Sequence, residues 1–214
     1  MKGGDVVVIV DVQNDFCPGG ALPVASGDEV VPALNGYIRQ FRAAQLPIFA
    51  TRDWHPEKTS HFKTYGGVWP PHCVRGTRGA DFHPELALPA DAVIISKGMG
   101  CDEDSYSGFQ GTDDGGVKLA DLLRRRGAKR LFVGGLATDY CVKQTVLDGL
   151  KEGFKVVLLE DAIRAVDLQP GDGSRAIAAM IKAGAEKAKV SRPNGPGPAP
   201  LLHQLSHKNE QDSK

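Results

Sequence analysis

One cysteine stands where a thiol could act as a nucleophile. Cys141 follows the strand-like run 130–134 and the short link 135–138, at the start of a segment with helical periodicity. In the first turn of a helix, unpaired N–H groups and the helix dipole favour a thiolate, and the same N–H groups could stabilise an oxyanion. Thr138 or Asp139 could cap that helix. We therefore expect a nucleophile at Cys141, with a small buried structural cysteine as the alternative.

Two charged residues that follow strand-like runs could serve this thiol. Asp11 lies near the end of the apolar run 5–12, where a buried carboxylate needs a partner. It could act as general base for the thiol and then as general acid for leaving ammonia. Lys97 follows the run 92–96 and could hold Asp11 and Cys141 in their ionised forms. Taken singly, a turn-capping aspartate and a surface lysine are the alternatives.

Asp53 and the histidines that follow it form a pattern that could bind a metal ion. Asp53 and His55 lie two residues apart, so their side chains point the same way in an extended segment. His61 and His72 follow in the same loop. One carboxylate and three imidazoles suit zinc, iron or manganese. The spacing matches no common zinc motif, so a loop of polar histidines is the alternative.

Strand-like and helix-like segments alternate along the chain. Apolar runs predict strands over 5–12, 46–51, 92–96, 130–134, 155–160 and 185–190, and helical periodicity predicts helices over 28–44, 117–126, 139–152 and 174–183. This alternation predicts an α/β fold in which helices cover both faces of a parallel sheet. Ligands of such sheets bind beyond the carboxyl ends of the strands. Asp11, Asp53, Lys97 and Cys141 follow four successive strands, so we expect them to meet at one edge.

The composition is that of a globular protein without a strong electrostatic field. The 214 residues carry 26 basic and 26 acidic side chains, which argues against nucleic acid or an anionic membrane as a partner. The apolar runs are far shorter than the roughly 20 residues of a membrane span. We see no signal peptide after Met1 and expect a cytoplasmic protein, in which the four cysteines are not paired. Three of them follow no helix start and are expected to be buried: Cys17, Cys73 and Cys101.

The length suits a single domain, which we place at residues 1–190. From Ser191 onward the chain is rich in proline, glycine and polar residues and shows no period. This composition predicts a flexible tail over 191–214, in which His203 and His207 are solvated.

Six segments together resemble the nicotinamidases of the isochorismatase-like cysteine hydrolases. They are DVQNDF at 11–16, DWHP at 53–56, WPPHCVRGT at 69–77, SKG at 96–98, SYSGF at 105–109 and GLATDYCV at 135–142. The likeness runs from near Asp5 to near Val190 and leaves out the tail. The combination of these six segments is very specific for this family.

The resemblance implies a three-layer α/β/α fold with a six-stranded parallel sheet in the order 3-2-1-4-5-6. It implies cleavage of nicotinamide to nicotinate and ammonia through a thioester, a step of NAD salvage. The implied catalytic triad is Asp11, Lys97 and Cys141. The backbone N–H groups of Ala137 and Cys141 would form the oxyanion hole, and the peptide bond between Leu136 and Ala137 would be cis.

The resemblance also implies one divalent metal ion per chain, zinc or iron, with manganese as a further option. Asp53, His55 and His72 would hold it, with an open position for the pyridine nitrogen of the substrate. Relatives carry serine or histidine at the position of His61. Because a histidine can ligate directly, we predict four protein ligands including His61, with a water molecule in its place as the alternative. The side chains implied to wall the flat ring are aromatic: Phe16, Trp69 and Tyr106.

Three other functions are open at this point. A related amidohydrolase acting on a carbamoyl or ureido amide would need no metal anchor for a pyridine. A hydrolase that uses a metal-bound hydroxide would leave Cys141 incidental, and iodoacetamide would spare it. A non-catalytic metal-binding protein of the same fold would release no ammonia from nicotinamide. Assembly into a homo-oligomer is compatible with all of them.

Overall fold

The structure, a computed structural model, describes residues 1–189, in which six strands alternate with four α-helices. The strands are β1 (Asp5–Val10), β2 (Ile48–Asp53), β3 (Val93–Lys97), β4 (Arg130–Leu136), β5 (Lys155–Arg164) and β6 (Glu186–Ala188). The helices are α1 (Val30–Ala43), α2 (Leu119–Arg125), α3 (Lys143–Lys151) and α4 (Asp172–Lys182). Within the described range no helix is long and apolar enough to cross a membrane. The tail predicted over 191–214, its two histidines and the last residue of the predicted sixth strand lie outside the described residues.

The six strands form one parallel sheet in the order β3-β2-β1-β4-β5-β6. The predicted fold class and strand order are therefore confirmed. β1 is a central strand, in which Val7 lies opposite Ile48 of β2 and Phe132 of β4. Every residue of β1 is buried, as the apolar run 6–10 predicts for a parallel strand covered on both faces, and the buried carboxylate of Asp5 is paired with Arg130.

The side chains of β1 alternate between two apolar cores, because successive residues of a strand point to opposite faces. Val7 and Ile9 belong to the core that α1 covers. Val8 and Val10 belong to the core formed with residues of α2, α3 and α4. The sheet is thus the middle layer of three, and its carboxyl edge stays free for a site.

Two predicted boundaries differ at positions that matter for the site. β1 ends at Val10 rather than continuing to Val12, because Asp11 adopts a left-handed backbone conformation with φ 47°. The helix predicted from residue 139 begins instead as a π-helical turn, Thr138–Val142, which leads into α3. Both departures lie at the carboxyl edge of the sheet. The other predicted elements overlap the observed ones.

Gly135 lets β4 approach β1 closely just before the site. Its φ is 128°, and a Cβ atom there would lie 2.0 Å from the carbonyl oxygen of Val10. We predict that Gly135→Ala lowers the free energy of unfolding by about 2–4 kcal/mol, because both the backbone conformation and the contact exclude a side chain. Urea unfolding measures this change.

Gly36→Ala in α1 is the matched control. A Cβ atom at Gly36 meets no atom closer than 3.9 Å. Because alanine favours a helix over glycine, this change should raise stability by about 0.5–1 kcal/mol. If Gly135→Ala unfolds at the same urea concentration as the parent, the close approach of β4 to β1 is not a constraint.

Candidate active site

The predicted strand-end residues meet around the ammonium group of Lys97. Lys97 is buried at the end of β3, and its Nζ lies 2.9 Å from Oδ2 of Asp11 and 3.5 Å from Sγ of Cys141. It also donates to the backbone carbonyl of Ser105 at 3.0 Å and contacts Oδ1 of Asp53. The convergence expected from parallel strands is therefore present. Residues at the ends of β1, β2 and β3 and in the turn after β4 share one edge.

Asp11 directly follows β1 and presents its carboxylate to the lysine and the thiol. Oδ1 accepts a hydrogen bond from the Thr51 hydroxyl at 2.6 Å, and Oδ2 faces Lys97. Burial raises the pKa of Asp11, the Lys97 ammonium opposes that shift, and the Asp53 carboxylate adds to it. A carboxylate with a raised pKa is the stronger base. A carboxylate oxygen of Asp11 also lies within 4.8 Å of Sγ of Cys141, so Asp11 is placed to exchange a proton with the thiol.

Lys97 is charged in spite of its burial. Burial acts to lower the pKa of Lys97, but the carboxylates of Asp11 and Asp53 outweigh it and raise that pKa well above its usual value. Burial likewise acts to raise the pKa of Asp53, while Lys97 and His55 hold it below its usual value. The site thus keeps an ammonium group paired with an ionised carboxylate of Asp53.

The thiol of Cys141 is protonated rather than ionised in this environment. Burial raises the pKa of Cys141 well above its usual value, Lys97 opposes the shift, and Asp11 and Asp53 add to it. The expected ionised form of Cys141 is therefore not the form that this environment favours. Lys97 acts in the expected direction, but the depth of burial, which the sequence does not show, outweighs it.

The two predicted caps of the Cys141 helix are also wrong. No side chain caps the π-helical turn that carries Cys141. The carboxylate of Asp139 instead accepts hydrogen bonds from the backbone N–H groups of Val166 and Asp167, at 3.0 and 2.9 Å. It thereby fixes the segment after β5, which contributes Val166 to the wall of the cavity described below. These partners lie 27 and 28 residues along the chain, beyond the reach of a local pattern.

Three histidines converge beside the lysine, on the side of Asp53. One ring nitrogen from each of His55, His61 and His72 lies within 4.8 Å of the other two. Oδ2 of Asp53 is 3.7 Å from Nε2 of His55 and 3.9 Å from Nε2 of His72. All four side chains are buried. The structure therefore brings together the four residues predicted as metal ligands.

The donor atoms of this cluster fit a divalent metal ion. Nε2 of His55 is buried and has no hydrogen-bond partner among residues 1–189. Nδ1 of His55 and of His72 each lie at hydrogen-bond distance from a backbone carbonyl, 3.0 and 2.7 Å away, which assigns tautomers that leave both Nε2 atoms with a lone pair. Burial lowers the pKa of His72 to about 4, against the attraction of Asp53, so its ring is neutral at pH 7. Neutral imidazoles with one carboxylate suit zinc.

Gln13 is a site residue that the sequence interpretation missed. Its amide accepts from the backbone N–H of Asp53 and donates to the Asp53 carbonyl, both at 2.8 Å. It also donates to the Ala80 carbonyl at 2.8 Å. Gln13 is buried and thus fixes the backbone of Asp53 between the histidines and Lys97. Its position two residues after Asp11, in a segment already noted for its chemistry, was the available signal.

A cavity lies between the thiol and the histidines. The three aromatic residues predicted to wall a flat ring line it, together with Cys141 and His72: Phe16, Trp69 and Tyr106. The indole N–H of Trp69 donates to the Tyr106 hydroxyl at 2.9 Å, so these two side chains hold each other in place. Further lining residues that the sequence interpretation did not name are mostly apolar: Leu22, Val24, Tyr140 and Val166. A flat ring in this cavity would touch both the thiol and the histidine cluster.

Ala137 lines the same cavity next to Cys141. The peptide bond between Leu136 and Ala137 is cis, as predicted. The oxyanion role of the Ala137 and Cys141 N–H groups stays a prediction.

The remaining cysteines are not among the residues that line the cavity. All four cysteines are free thiols. Cys17 and Cys73 are buried, as expected, whereas Cys101 is exposed and its expected burial is wrong. Cys101 follows Gly100 in an exposed turn. The usual burial of cysteine does not reveal this exposure.

Comparison with known protein families matches the part of the chain that contains these site residues. The Isochorismatase domain family matches residues 5–190. The nicotinamidase of Escherichia coli (strain K12) is 41% identical over 197 residues, which cover 84% of this chain and 92% of the relative.

Two solved structures resemble this one closely. The pyrazinamidase of Pyrococcus horikoshii in complex with zinc has a TM-score of 0.81 and 48% identity, covering 87% of this chain and 99% of that one. PnC1 from L. infantum in complex with nicotinate has a TM-score of 0.78 and 42% identity, covering 87% and 93%.

We predict that Lys97→Met raises the pKa of the Cys141 thiol further, because the ammonium group that lowers this pKa is removed. At a given pH less thiolate is then present, so alkylation of Cys141 by iodoacetamide should slow and its pH profile should move to higher pH. Lys143→Met is the matched control, because it also removes a lysine charge and lies two residues after Cys141 in the sequence. It should leave the profile unchanged. An unchanged profile in Lys97→Met would show that the ammonium does not act on the thiol.

We predict that His61→Ser weakens zinc binding by about ten- to a hundredfold, the scale expected for lost support of a metal site. The measurement is metal stoichiometry after dialysis against a mild chelator, followed by titration with added zinc to restore the metal. His83→Ser is the control, because His83 lies outside the cluster and its Nδ1 accepts from the backbone N–H of Glu85 at 3.3 Å. Metal content equal to the parent in His61→Ser would remove His61 from the ligand set.

Proposed function

This chain belongs to the isochorismatase family, and we propose that it is a nicotinamidase, which hydrolyses nicotinamide to nicotinate and ammonia. The observation that carries the proposal is the arrangement around the cavity. A thiol with a carboxylate and an ammonium group lies at one end, the histidine cluster lies at the other, and aromatic side chains wall the space between. The similarity to the E. coli nicotinamidase supports the same reaction.

Asp11 serves both proton transfers of the first half-reaction. It takes the proton of Cys141 as Sγ attacks the carboxamide carbon, and the carbonyl oxygen becomes an oxyanion that accepts hydrogen bonds from the N–H groups of Ala137 and Cys141. Asp11 then gives that proton to the amide nitrogen, the C–N bond breaks, and ammonia leaves. A thioester between Cys141 and the nicotinoyl group remains.

The second half-reaction uses the same residues with water as the nucleophile. Asp11 removes a proton from the water as its oxygen attacks the thioester carbon. The C–S bond breaks, Asp11 gives that proton to the sulfur of Cys141, and the nicotinic acid formed loses its own proton to solvent and leaves as nicotinate. Lys97 compensates the negative charge of Asp11 and Asp53 throughout and stabilises the sulfur whenever it is anionic.

Asp53, His55, His61 and His72 would hold the metal ion. When bound, the ion supplies a Lewis-acidic position that takes the pyridine nitrogen and orients the ring. We propose zinc, which the P. horikoshii relative binds; the donor set also suits iron and manganese. Phe16, Trp69 and Tyr106 would then pack against the ring and keep water from the carboxamide.

The histidine cluster argues for a pyridine amide over a carbamoyl or ureido amide, because those substrates carry no ring nitrogen to be held. The product nicotinate is the acid that NAD salvage consumes. The free cysteines suit the reducing cytoplasm, which we propose as the location.

The direct test is release of ammonia and nicotinate from nicotinamide by the zinc-loaded protein. Iodoacetamide should abolish the activity, which a hydrolase using a metal-bound hydroxide would keep. No ammonia release at saturating zinc and nicotinamide would favour a non-catalytic metal-binding protein.

We predict that Cys141→Ala abolishes turnover while zinc content and nicotinamide binding stay close to the parent, because the nucleophile and the metal cluster are separate groups. Turnover is measured as ammonia release, and binding by calorimetry with nicotinamide. Cys101→Ala, which removes an exposed thiol outside the cavity, is the control and should keep full turnover. Turnover of Cys141→Ala within about tenfold of the parent would exclude the cysteine mechanism, because loss of a covalent nucleophile costs far more.

A further inference from the structure

Nδ1 of each histidine in the histidine cluster lies at hydrogen-bond distance from an oxygen outside the cluster. For His55 and His72 the oxygen belongs to a backbone carbonyl, at 3.0 and 2.7 Å. For His61 it is Oδ1 of the Asp104 carboxylate, 43 residues along the chain. The three rings therefore share one arrangement: Nδ1 faces an acceptor, and Nε2 is the nitrogen left for a metal ion.

Asp104 differs from the other two acceptors because it carries a full negative charge. A hydrogen bond to a carboxylate is stronger than one to a carbonyl. In metal sites, such a bond fixes the ring orientation and tautomer of the ligating histidine and increases its basicity. His61 is also the histidine without a close contact to Asp53, whose Oδ2 lies near His55 and His72. Asp104 is the carboxylate that lies at hydrogen-bond distance from His61.

We propose that Asp104 is a positioning residue for metal binding, which holds His61 with Nε2 directed into the cluster and strengthens that nitrogen as a ligand. The proposal rests on the role proposed above for His61 as a metal ligand. It assigns to Asp104 no contact with the substrate or with the reacting atoms.

Asp104 and the two residues that follow it contact different parts of the site. The carbonyl of Ser105, the next residue, accepts from the Lys97 ammonium at 3.0 Å. Tyr106 lines the cavity. The carbonyl of Asp104 itself accepts from the side chain of Gln110 at 3.4 Å. The backbone of Asp104 is thereby fixed relative to the catalytic lysine, so its carboxylate has a defined place next to His61.

The exposure of the pair makes the role testable without unfolding the protein. The His61 side chain is 4% exposed, whereas the Asp104 side chain is 64% exposed. Replacement of an exposed carboxylate leaves no buried charge unpaired, so variants at Asp104 should fold. Thermal unfolding of the zinc-free proteins checks this.

The experiment measures zinc affinity by competition with a chromophoric chelator for Asp104→Asn, Asp104→Ala and Asp104→Glu. Affinity should fall by about ten- to a hundredfold in Asp104→Ala, which has no acceptor. Asp104→Asn keeps a neutral acceptor and should lie between Asp104→Ala and the parent, and Asp104→Glu should recover part of the loss. Asp102→Asn removes the same charge from an exposed residue of the same loop and should keep the affinity of the parent.

A double-mutant cycle with His61→Ser separates positioning from a general effect of charge. If Asp104 acts through His61, then Asp104→Ala should cause no further loss of zinc affinity in the His61→Ser background. An equal loss in both backgrounds would overturn the proposal, because Asp104 would then act on the ion directly. Equal zinc affinity of Asp104→Ala and the parent would overturn it as well.

Ammonia release from nicotinamide by the parent is measured in parallel. If the zinc affinities of the parent and the variants follow the predicted order but the parent releases no ammonia, the proposed nicotinamidase activity is refuted and the assignment of Asp104 stands. A parent that releases ammonia while Asp104→Ala binds zinc normally would refute only the assignment of Asp104.

Discussion

The buried ammonium group of Lys97 is the interaction on which the rest of the site depends. Removing an ammonium group from water costs several kcal/mol, and only well-placed opposite charges and hydrogen bonds offset that cost. Asp11, Asp53 and the carbonyl of Ser105 supply them. Because each carboxylate is itself buried, removal of any one of these charges leaves another unpaired. The ends of β1, β2 and β3 are therefore held at fixed distances from one another, and from the sulfur that lies 3.5 Å from the ammonium.

Asp53 links the position of the histidine cluster to the position of Lys97 and the thiol. One of its oxygens contacts Lys97, and the other faces two of the histidines. Gln13 fixes its backbone from the opposite side. A ring held by the cluster is thus at a set separation from Cys141. In the proposed reaction this geometry separates two roles: the cluster would orient the substrate, and the sulfur with its carboxylate would carry out the cleavage.

Burial also determines when the nucleophile forms. It raises the pKa of the Cys141 thiol and of the Asp11 carboxyl group together, which leaves a protonated thiol beside a strengthened base. A protonated, buried thiol reacts more slowly with oxidants and alkylating agents than a thiolate does. The nucleophile is then generated where the carboxamide is bound, by transfer of the proton to Asp11. An exposed thiol such as Cys101 has no such protection.

The sequence by itself predicted the parallel sheet and the residues that meet at its carboxyl edge. The β-branched run 6–10 favours a strand covered on both faces, and parallel strands bring Asp11, Lys97 and Cys141 to one edge. Motifs shared with a known family supplied the strand order and the ring pocket. The tertiary structure alone decided the protonation of Cys141, because a pKa depends on burial and on charges from several strands. It alone also paired His61 with Asp104, 43 residues apart. Sequence periodicity reports which face of an element is apolar, but not which distant side chain lies opposite a polar atom.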